Sequence, residues 1–399
     1  MAGVLVVAVG GAGAFAYWKY TELSSGIHRS GIRLPGETSA QANGTAQDSS
    51  ETNILVMGLD SRLDENGEAL PEAVYGALHA GSQSDGGYNT NVLMLIHIPA
   101  NDGKAIGISI PRDDYVSLTG SPDGEAKSKI KEAYGLELDQ ELRHLRNTSK
   151  ISYTDAYQQA RSAARQTEID TVSTFLGGVP INHFIEVTMA AFYQIAVAVQ
   201  PITVCLAERT ADIYSGADFP AGIQQLTAAQ AVGFVRQRRD TTRSGLNFTD
   251  LDRDRRQQAF IVSLGVKLKQ ANTFTNFGTM QSLIDTAKQN IALDSSFDLL
   301  SLAGRAAKFA GGNISFVTLP IIGYATIDSK DVNVVNLDQI HLLVKQLLSS
   351  APDATASPGA MVGATTSPEP PPLAPTPVAS NDPNESSAPL QSGSIPCVK

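Results

Sequence analysis

The sequence predicts an α/β fold in which a central mixed β-sheet is flanked by helices in αβα layers. Short apolar runs of strand length, at residues 53–57, 91–99 and 105–111, are followed by longer stretches of helical composition. Strands interleaved with helices are typical of layered α/β domains. The apolar fraction of 42% in a chain of 399 residues is enough for a substantial core. We place the folded domain at residues 53–350.

The chain begins with an uncharged run at residues 2–18, which predicts a transmembrane anchor over residues 2–20. As a helix the run spans about 26 Å, slightly short of the ~30 Å hydrocarbon core. Aromatic residues at its end suit the membrane interface. Residues 14–16 also resemble a signal-peptidase site, whereas the polar stretch that follows disfavours a buried helix. Residues 21–52 are predicted to be a tether, with the folded domain outside the cytoplasm on a single-pass anchor.

An acid and a base follow two of the predicted strands. The first strand ends in Asp60 and Arg62, and the third ends in Arg112 and Asp113. Ligands gather at the carboxyl ends of strands in α/β sheets. A single Arg–Asp pair at such a place is more often a structural salt bridge than a site. Several such ends converging on further arginines would favour a site.

Residues 234–258 hold seven arginines and no lysine, in a chain whose formal net charge is −10. A solvated surface usually mixes the two residue types. A cluster made only of arginine therefore suggests bidentate recognition of an oxyanion such as phosphate or carboxylate. The alternative is an exposed helix laced with salt bridges.

The second half of this cluster predicts a helix over about residues 250–270, because the sequence turns amphipathic after a polar start. Thr249 or Asp250 can cap it, and Asp250 lies at its positive end. Helical spacing then places three polar side chains together: Arg253, Arg256 and Gln257.

The remaining segments continue the alternation of helices and strands. Residues 127–134 are predicted to open a helical region. Further helices are predicted at 156–176, 187–199, 227–235, 280–291, 297–310 and 337–348. Strands are predicted at 181–186, 201–206 and 314–319. The helix at 187–199 is strongly apolar, which fits a core helix and also fits the wall of a slot for a lipid tail.

Composition excludes several classes of function. The acidic balance argues against general nucleic-acid binding, because nothing outside the arginine cluster would follow a phosphate backbone. The sequence has no zinc-ligand spacing, P-loop, dinucleotide-binding glycine pattern or GxSxG elbow.

The end of the chain is a Pro/Ser/Ala-rich stretch at residues 351–394, which predicts a disordered linker. It leads to a hydrophobic tip at residues 395–399 that carries Cys397. We predict that Cys397 pairs with Cys205 and fixes the tip to the domain, as an exported protein would allow. The alternative is two independent thiols.

Several segments, taken in order, resemble the LytR-CpsA-Psr family of membrane-anchored cell-wall glycopolymer ligases. They are NILVMGLDSR, NTNVLMLIHIP, ISIPRDDYV, KIKEAY, GVPINHFIEVTMAAF, LTAAQAVGFVRQRR and DLDRDRRQQ. The Pro-rich tail ending in a cysteine resembles actinobacterial members. The resemblance implies transfer of a phosphate-linked glycan, with arabinogalactan as a candidate, from a polyprenyl-pyrophosphate carrier to a hydroxyl of peptidoglycan. It also implies Mg²⁺ or Mn²⁺ as an assisting cation.

The resemblance further implies roles for individual residues. The pyrophosphate would be held by Arg62, Arg112, Arg236, Arg238, Arg253, Arg256 and Gln257. The metal would be held by Asp60, Asn91 and Asp250. The catalytic residues would be Asp60, Arg112 and Asp113, with Asp60 first and Asp113 second as the base for the hydroxyl proton.

The sequence departs from the family pattern at Asn91, where many members have Asp. An amide oxygen ligates a hard cation without adding charge, so weaker Mg²⁺ binding is expected. Lys131, Asn182 and Ala190 also differ from the commoner residues. Asn91 is the feature that supports an alternative function, a non-catalytic wall-binding scaffold or attenuator. A polyprenyl-pyrophosphate pyrophosphatase is a third possibility.

Overall fold

The computed structural model describes nine segments of the chain. They are residues 27–36, 51–82, 86–100, 103–241, 248–270, 290–298, 313–349, 390–391 and 395–399. The predicted anchor, most of the tether, most of the linker and most of the helices predicted at 280–291 and 297–310 lie outside these residues. Within the described segments, none of the helices has the length and apolar character needed to cross a bilayer.

The described residues form seventeen strands and seven α-helices. In chain order the strands are β1 (His28–Ser30), β2 (Thr52–Leu59), β3 (Thr90–Ile98), β4 (Ala105–Ser109), β5 (Tyr115–Ser117), β6 (Lys127–Lys129), β7 (His183–Val187), β8 (Ile202–Leu206), β9 (Thr210–Asp212), β10 (Ala217–Phe219), β11 (Gly222–Leu226), β12 (Ile291–Asp294), β13 (Ile314–Thr318), β14 (Gly323–Ile327), β15 (Lys330–Val334), β16 (Leu390–Gln391) and β17 (Cys397–Val398). The helices are α1 (Glu72–Leu78), α2 (Glu132–Thr148), α3 (Tyr153–Phe175), α4 (Met189–Val199), α5 (Ala228–Arg236), α6 (Asp250–Gln270) and α7 (Leu337–Ser349).

The centre of the molecule is an eight-stranded sheet in the order β1-β12-β7-β2-β3-β4-β13-β16. The pairs β1–β12, β7–β2 and β4–β13 are parallel, and the other pairs are antiparallel. The sheet is therefore mixed, as predicted.

Alternation of side chains along the central strands separates two cores. Leu55 and Leu95 pack on one face with residues of α3 and α7. Val56 and Met94, their neighbours in sequence, pack on the other face with residues of α4, α5 and α6. Because successive side chains of a strand point to opposite faces, apolar residues at every position bury both faces. This gives the predicted αβα layers.

Two predictions of secondary structure are wrong. Residues 127–129 do not open a helix but form β6, which pairs with β5 in a hairpin, and α2 begins only at Glu132. Ile291 does not end a helix but begins β12, which lies between β1 and β7 in the central sheet. In both cases pairing with a distant or neighbouring strand decides the structure of a short segment whose own preference is weak.

The order of the central strands gathers several strand ends at one edge of the sheet. Because β2 and β3 are antiparallel, the end of β2 lies beside the start of β3, with Leu59 paired to Thr90. β4 is antiparallel to β3, so its end lies at the same edge. The chain segments that follow β2 and β4 therefore meet there, together with the first residues of β3.

Helix α6 brings the second half of the arginine cluster to this edge. Its start is capped by Thr249, whose Oγ1 accepts from Asp252 N at 3.4 Å while Asp252 Oδ2 accepts from Thr249 N at 2.7 Å. This reciprocal arrangement satisfies backbone donors that the helix itself leaves unpaired.

The tip of the chain returns to the domain. β17 adds to β8 in parallel, and a disulfide joins Cys397 to Cys205, which confirms the predicted bridge. β16 pairs with β13 at the border of the central sheet.

Candidate active site

A continuous network of polar side chains starts at the end of β2. Asn91 Nδ2 donates to Asp60 Oδ2 at 2.7 Å, and Arg112 Nη1 donates to Asn91 Oδ1 at 2.6 Å. Asp60 Oδ1 also accepts from the backbone N–H of Asn89 at 3.3 Å. The structure therefore brings together three of the residues predicted from separate strands.

Asp250, at the start of α6, is the meeting point of three arginines. Arg112 donates to both of its carboxylate oxygens at 3.1 Å, through Nε and Nη2. Arg253 Nη2 donates to Oδ2 at 2.9 Å, and Arg238 Nε lies 3.4 Å from Oδ1. Arg112 and Arg253 are buried, whereas the side chain of Arg238 is 49% exposed. We call Asp60, Asn91, Arg112, Arg238, Asp250 and Arg253 the open cluster.

Two lysines that sequence reasoning did not place in the site extend the open cluster through Asp113. Lys131 Nζ lies 2.7 Å from Asp113 Oδ1, and Lys129 Nζ lies 3.4 Å from the same atom. Arg112 Nε lies 3.5 Å from Asp113 Oδ2. The only signal in the sequence was that Lys131 departs from the family pattern.

These cations hold Asp113 and Asp250 in their charged form. Burial raises the pKa of Asp113, but Arg112 and Lys131 outweigh burial and bring it to about 2. Burial likewise raises the pKa of Asp250, and Arg253 and Arg112 outweigh it, so that the net shift is downward. Burial and the charge of Arg253 lower the pKa of Arg112 to about 10, which leaves the guanidinium charged at neutral pH.

Arg62 and Arg236 lie beside the open cluster with backbone partners. Arg62 donates to the carbonyl oxygens of Asp60 at 2.6 Å and Ala80 at 3.0 Å. Arg236 Nη1 donates to the carbonyl oxygens of residues 78 and 79. Gln257 Nε2 donates to the carbonyl oxygen of residue 235, which ties α6 to the end of α5 beneath Arg236. These positions are compatible with a shared anion site.

Arg256 does not join this network, although the sequence placed it beside Arg253. It is fully buried, and it donates to Gln237 Oε1 at 2.7 Å, Thr210 Oγ1 at 2.7 Å and the backbone oxygen of Lys399 at 2.6 Å. Its guanidinium also lies 4.9 Å from the centre of the Phe234 ring. Arg253 and Arg256 lie three residues apart in α6, but their side chains meet different surroundings. Arg253 contacts Asp250, whereas Arg256 faces the tip of the chain.

A second group of arginines, in α3, was not singled out by the sequence. Arg161 and Arg165 form ion pairs with Glu65, from the loop after β2, and with Glu186 of β7. Arg165 donates to both carboxylate oxygens of Glu186 at 2.9 Å, and Arg161 Nη2 donates to Glu65 Oε1 at 2.9 Å. All four side chains are at most 3% exposed. We call these four residues the closed cluster.

The predicted metal ligands do not present a set of free oxygens. Asp60 Oδ2 accepts from Asn91, Asn91 Oδ1 accepts from Arg112, and both oxygens of Asp250 accept from arginine. Among the described residues, no group of three or more His, Cys, Asp and Glu side chains is placed to hold a metal ion. In this arrangement the residues do not fit a Mg²⁺ site.

The apolar helix predicted at 187–199 is present as α4. Its side chains at 190, 191, 196 and 199 are buried against the core, and Val197 is 43% exposed. Phe192 packs its ring 4.8 Å from that of Phe260 in α6. The helix is therefore a core element in part, and its use as a wall for a lipid tail stays a prediction.

Comparisons with known proteins agree with this architecture. The model of the LytR_cpsA_psr family matches residues 19–347. The chain is 33% identical over 353 residues to the cell wall biosynthesis protein LcpA of Corynebacterium glutamicum, and the match covers 88% of this chain and 65% of LcpA. The chain thus spans less than two thirds of that relative's length.

Two further comparisons concern a transferase and a solved structure. Over 300 residues the chain is 27% identical to the polyisoprenyl-teichoic acid–peptidoglycan teichoic acid transferase TagU of Bacillus cereus, covering 74% of this chain and 80% of TagU. The structure of a LytR-Csp2A-Psr enzyme from Actinomyces oris aligns with a TM-score of 0.51 at 20% identity, covering 82% of this chain and 97% of the other. At that identity the likeness concerns the fold alone.

Proposed function

The chain belongs to the LytR-CpsA-Psr family, and from this premise we propose that it transfers a glycopolymer from a polyprenyl-pyrophosphate carrier to peptidoglycan. The observation that carries the proposal is the open cluster, in which three arginines from separate segments surround Asp250 at one edge of the sheet. The similarity to TagU, a polyisoprenyl-teichoic acid–peptidoglycan teichoic acid transferase, supports the same reaction class.

The proposed reaction exchanges one phosphate ester for another. A hydroxyl oxygen of peptidoglycan attacks the phosphorus that carries the glycan, and the bond from that phosphorus to the bridging oxygen breaks. The polyprenyl monophosphate leaves with the bridging oxygen, and the hydroxyl proton passes to a base. The product is a phosphodiester between glycan and peptidoglycan. Negative charge grows on the leaving phosphate, which is where fixed guanidinium groups lower the barrier.

The arginines divide this work by their position. Arg112 and Arg253 are buried and fixed by Asp250, so they are already oriented before a ligand arrives. Arg238 is half exposed and has one ion-pair partner in the open cluster, so it is placed to close on the diphosphate. A guanidinium that is held in place loses less conformational entropy when it binds phosphate.

Asp60 is a better candidate for the base than Asp113. Asp113 contacts Lys131, Lys129 and Arg112, and these cations hold its pKa at about 2, which makes it a poor proton acceptor. Asp60 is only partly buried, and its carboxylate accepts hydrogen bonds from Asn91 and from the backbone of Asn89. A partly exposed carboxylate next to the arginines is within reach of a bound hydroxyl.

The predicted anchor at residues 2–20 would keep the domain beside the membrane in which the lipid carrier resides. The acidic composition and the absence of any basic stripe in the sequence agree with a partner other than nucleic acid. Arabinogalactan is the first glycan to test, because the tail resembles that of actinobacterial members.

A transfer assay tests the proposal. Labelled glycan on a polyprenyl-pyrophosphate carrier is incubated with peptidoglycan fragments, and the label in the fragments is measured. We expect transfer by the wild type and at least a 100-fold loss in Asp60→Asn, within the range reported for removal of a general base. Release of polyprenyl phosphate without labelled fragments would identify a pyrophosphatase instead. Binding of the carrier without either product would identify a scaffold.

A further inference from the structure

The orientation of the Asn91 amide is fixed by its two neighbours. Arg112 has only donors, so the atom it contacts at 2.6 Å must be the amide oxygen. The carboxylate of Asp60 only accepts, so the atom 2.7 Å from Asp60 Oδ2 must be the amide nitrogen. The amide therefore turns its N–H group towards Asp60. An aspartate at this position would have no donor to offer, and two carboxylates would face each other.

In this orientation a hydrogen bond from Asn91 stabilises the Asp60 carboxylate, where a pair of carboxylates would need a cation. Two carboxylates at 60 and 91 would repel each other, and a divalent cation between them would relieve the repulsion. With Asn91 present, the Asp60 carboxylate is stabilised by an N–H donor of this chain. A Mg²⁺ ion bound to Asp60 Oδ2 would have to displace that donor.

Lys131 supplies positive charge near Arg112, because both side chains contact Asp113. Its backbone N–H donates to the carbonyl oxygen of Arg112 at 3.2 Å, and its own carbonyl oxygen accepts from the backbone N–H of Thr90 at 3.1 Å. Its side chain is 13% exposed and contacts Asp113 at 2.7 Å. The backbone of Lys131 is thus fixed beside the start of β3 and Arg112, and its ammonium contacts Asp113. It has three N–H groups, of which one meets Asp113.

The charges connected to this network do not cancel. Among the described residues, five cationic side chains and four aspartates are joined to it by contacts between side chains. The cations are Arg112, Lys129, Lys131, Arg238 and Arg253, and the aspartates are Asp60, Asp113, Asp250 and Asp254. Burial raises the pKa of Asp254 to about 7, so this aspartate carries only part of its negative charge at neutral pH. The excess is at least one positive charge, which is the sign that a diphosphate ligand requires.

We infer that this site binds the diphosphate of its donor with resident cations, Lys131 among them, and does not depend on a divalent metal ion for that binding. The inference rests on the proposed function and deepens it, because it assigns the counter-charge for the same ligand. The Asn91 amide occupies the oxygen of Asp60 that a cation would bind, and the Lys131 ammonium supplies positive charge that the cation would have supplied.

Calorimetric titration with geranyl pyrophosphate tests the inference without relying on transfer. The full chain is titrated in EDTA and again with excess MgCl₂. For the wild type we expect dissociation constants that agree within about threefold, which is under 1 kcal/mol. For Asn91→Asp we expect binding in EDTA to weaken at least about tenfold and to recover when MgCl₂ is added, because the restored pair of carboxylates needs a cation.

Lys131→Met provides the second arm, with Lys127→Met as its matched control. Both lysines lie within five residues of each other, but Lys127 is exposed on β6. Loss of one hydrogen bond to a charged ligand predicts about tenfold weaker binding in EDTA for Lys131→Met and no change for Lys127→Met. Lys131→Arg keeps the charge and should restore most of the affinity. Thermal melting of each variant checks that it is folded.

Each outcome decides between the inference and the proposed function. If the wild type binds geranyl pyrophosphate only when MgCl₂ is present, the inference is wrong and the proposed function stands. If Lys131→Met and Lys131→Arg are folded and bind as tightly as the wild type, Lys131 has no part in the site. If the wild type binds geranyl pyrophosphate neither in EDTA nor in MgCl₂, the proposed function is wrong, because its donor does not bind.

Discussion

The open and the closed clusters are built from the same chemical groups but differ in charge balance. The closed cluster matches Arg161 and Arg165 with two glutamates, and all four side chains are buried. The open cluster has more cations than carboxylates, and one of its arginines, Arg238, is half exposed. The loop after β2 connects the two, because it carries Asp60 at its start and Glu65 five residues later.

The difference indicates that arginines form an anion-binding site when carboxylates of the protein do not balance their charge. A buried arginine paired with a buried carboxylate is costly to separate from it and lies out of reach of a ligand. Guanidinium groups whose charge is not balanced repel one another. Binding of an anion relieves this repulsion, so the excess positive charge favours anion binding. Arg256, with its donors directed to Gln237, Thr210 and Lys399, behaves as a closed arginine although it lies three residues from Arg253.

Removing a carboxylate from the closed cluster should have the largest effect on stability. Glu186→Gln leaves Arg161 and Arg165 with one buried acid, and we expect the free energy of unfolding to fall by about 3–5 kcal/mol. Urea denaturation measures the loss. Asp218→Asn is the control, because its ion pair with Arg209 is exposed and should contribute less than about 1 kcal/mol. A loss below that level in Glu186→Gln would show that the closed cluster does not stabilise the fold.

Removing an arginine from the open cluster should affect transfer most. Arg112→Ala takes away the buried guanidinium that joins Asn91 to Asp250 in the proposed site, and we expect a loss of about 10²–10³-fold in kcat. Asp250 keeps Arg253 and Arg238 as partners, so the fold should persist. Arg143→Ala, which breaks an exposed pair with Asp123, is the control for the transfer assay. Undiminished turnover by Arg112→Ala would remove it from the site.

Arg256→Met separates the two kinds of arginine within one helix. We expect it to lower the free energy of unfolding by about 1–3 kcal/mol, since three buried hydrogen bonds are lost. At a temperature where the variant is folded, the KM for the lipid donor should stay within about threefold of the wild type. A folded Arg256→Met variant with a strongly raised KM would place Arg256 among the pyrophosphate ligands after all.

Glu168, which lies in α3, gives an effect on stability that depends on pH. It is fully buried and accepts from the backbone N–H of Tyr134 at 2.9 Å, and burial raises its pKa to about 8. Because the unfolded state ionises near pH 4.5, stability should fall as pH rises from about 4.5 to about 8, by at most about 1.4 kcal/mol per pH unit. Glu168→Gln should lack this fall. Urea denaturation across that range compares the two, and parallel curves would contradict the assignment.

The sequence was informative where the pattern is local. Apolar runs predicted the central strands, and the polar residues that follow β2 and β4 predicted Asp60, Arg112 and Asp113 near one another. The prediction placed Arg253 and Arg256 together because helical spacing alone cannot say which neighbour each side chain meets. The tip of the chain, 143 residues after Arg256, decided that.

The closed cluster could not be predicted in the same way. Arg161 and Arg165 lie four apart in a helix of polar composition, and their partners Glu65 and Glu186 lie between 21 and 100 residues away. Lys131 was visible only as a departure from a family pattern, because its role depends on a backbone contact with Thr90 and on the position of Arg112. Such groups are defined by tertiary contacts between residues that carry no motif.

A crystal structure of the chain with geranyl pyrophosphate bound shows most directly whether the open cluster is the diphosphate site. We expect the two phosphates to lie within hydrogen-bond distance of Arg238 and Arg253, at the edge of the sheet where β2 and β4 end. We also expect Arg161, Arg165 and Arg256 to keep the partners they have without ligand. Phosphates bound away from Asp250, or held by Arg256, would show that the open cluster is not the site.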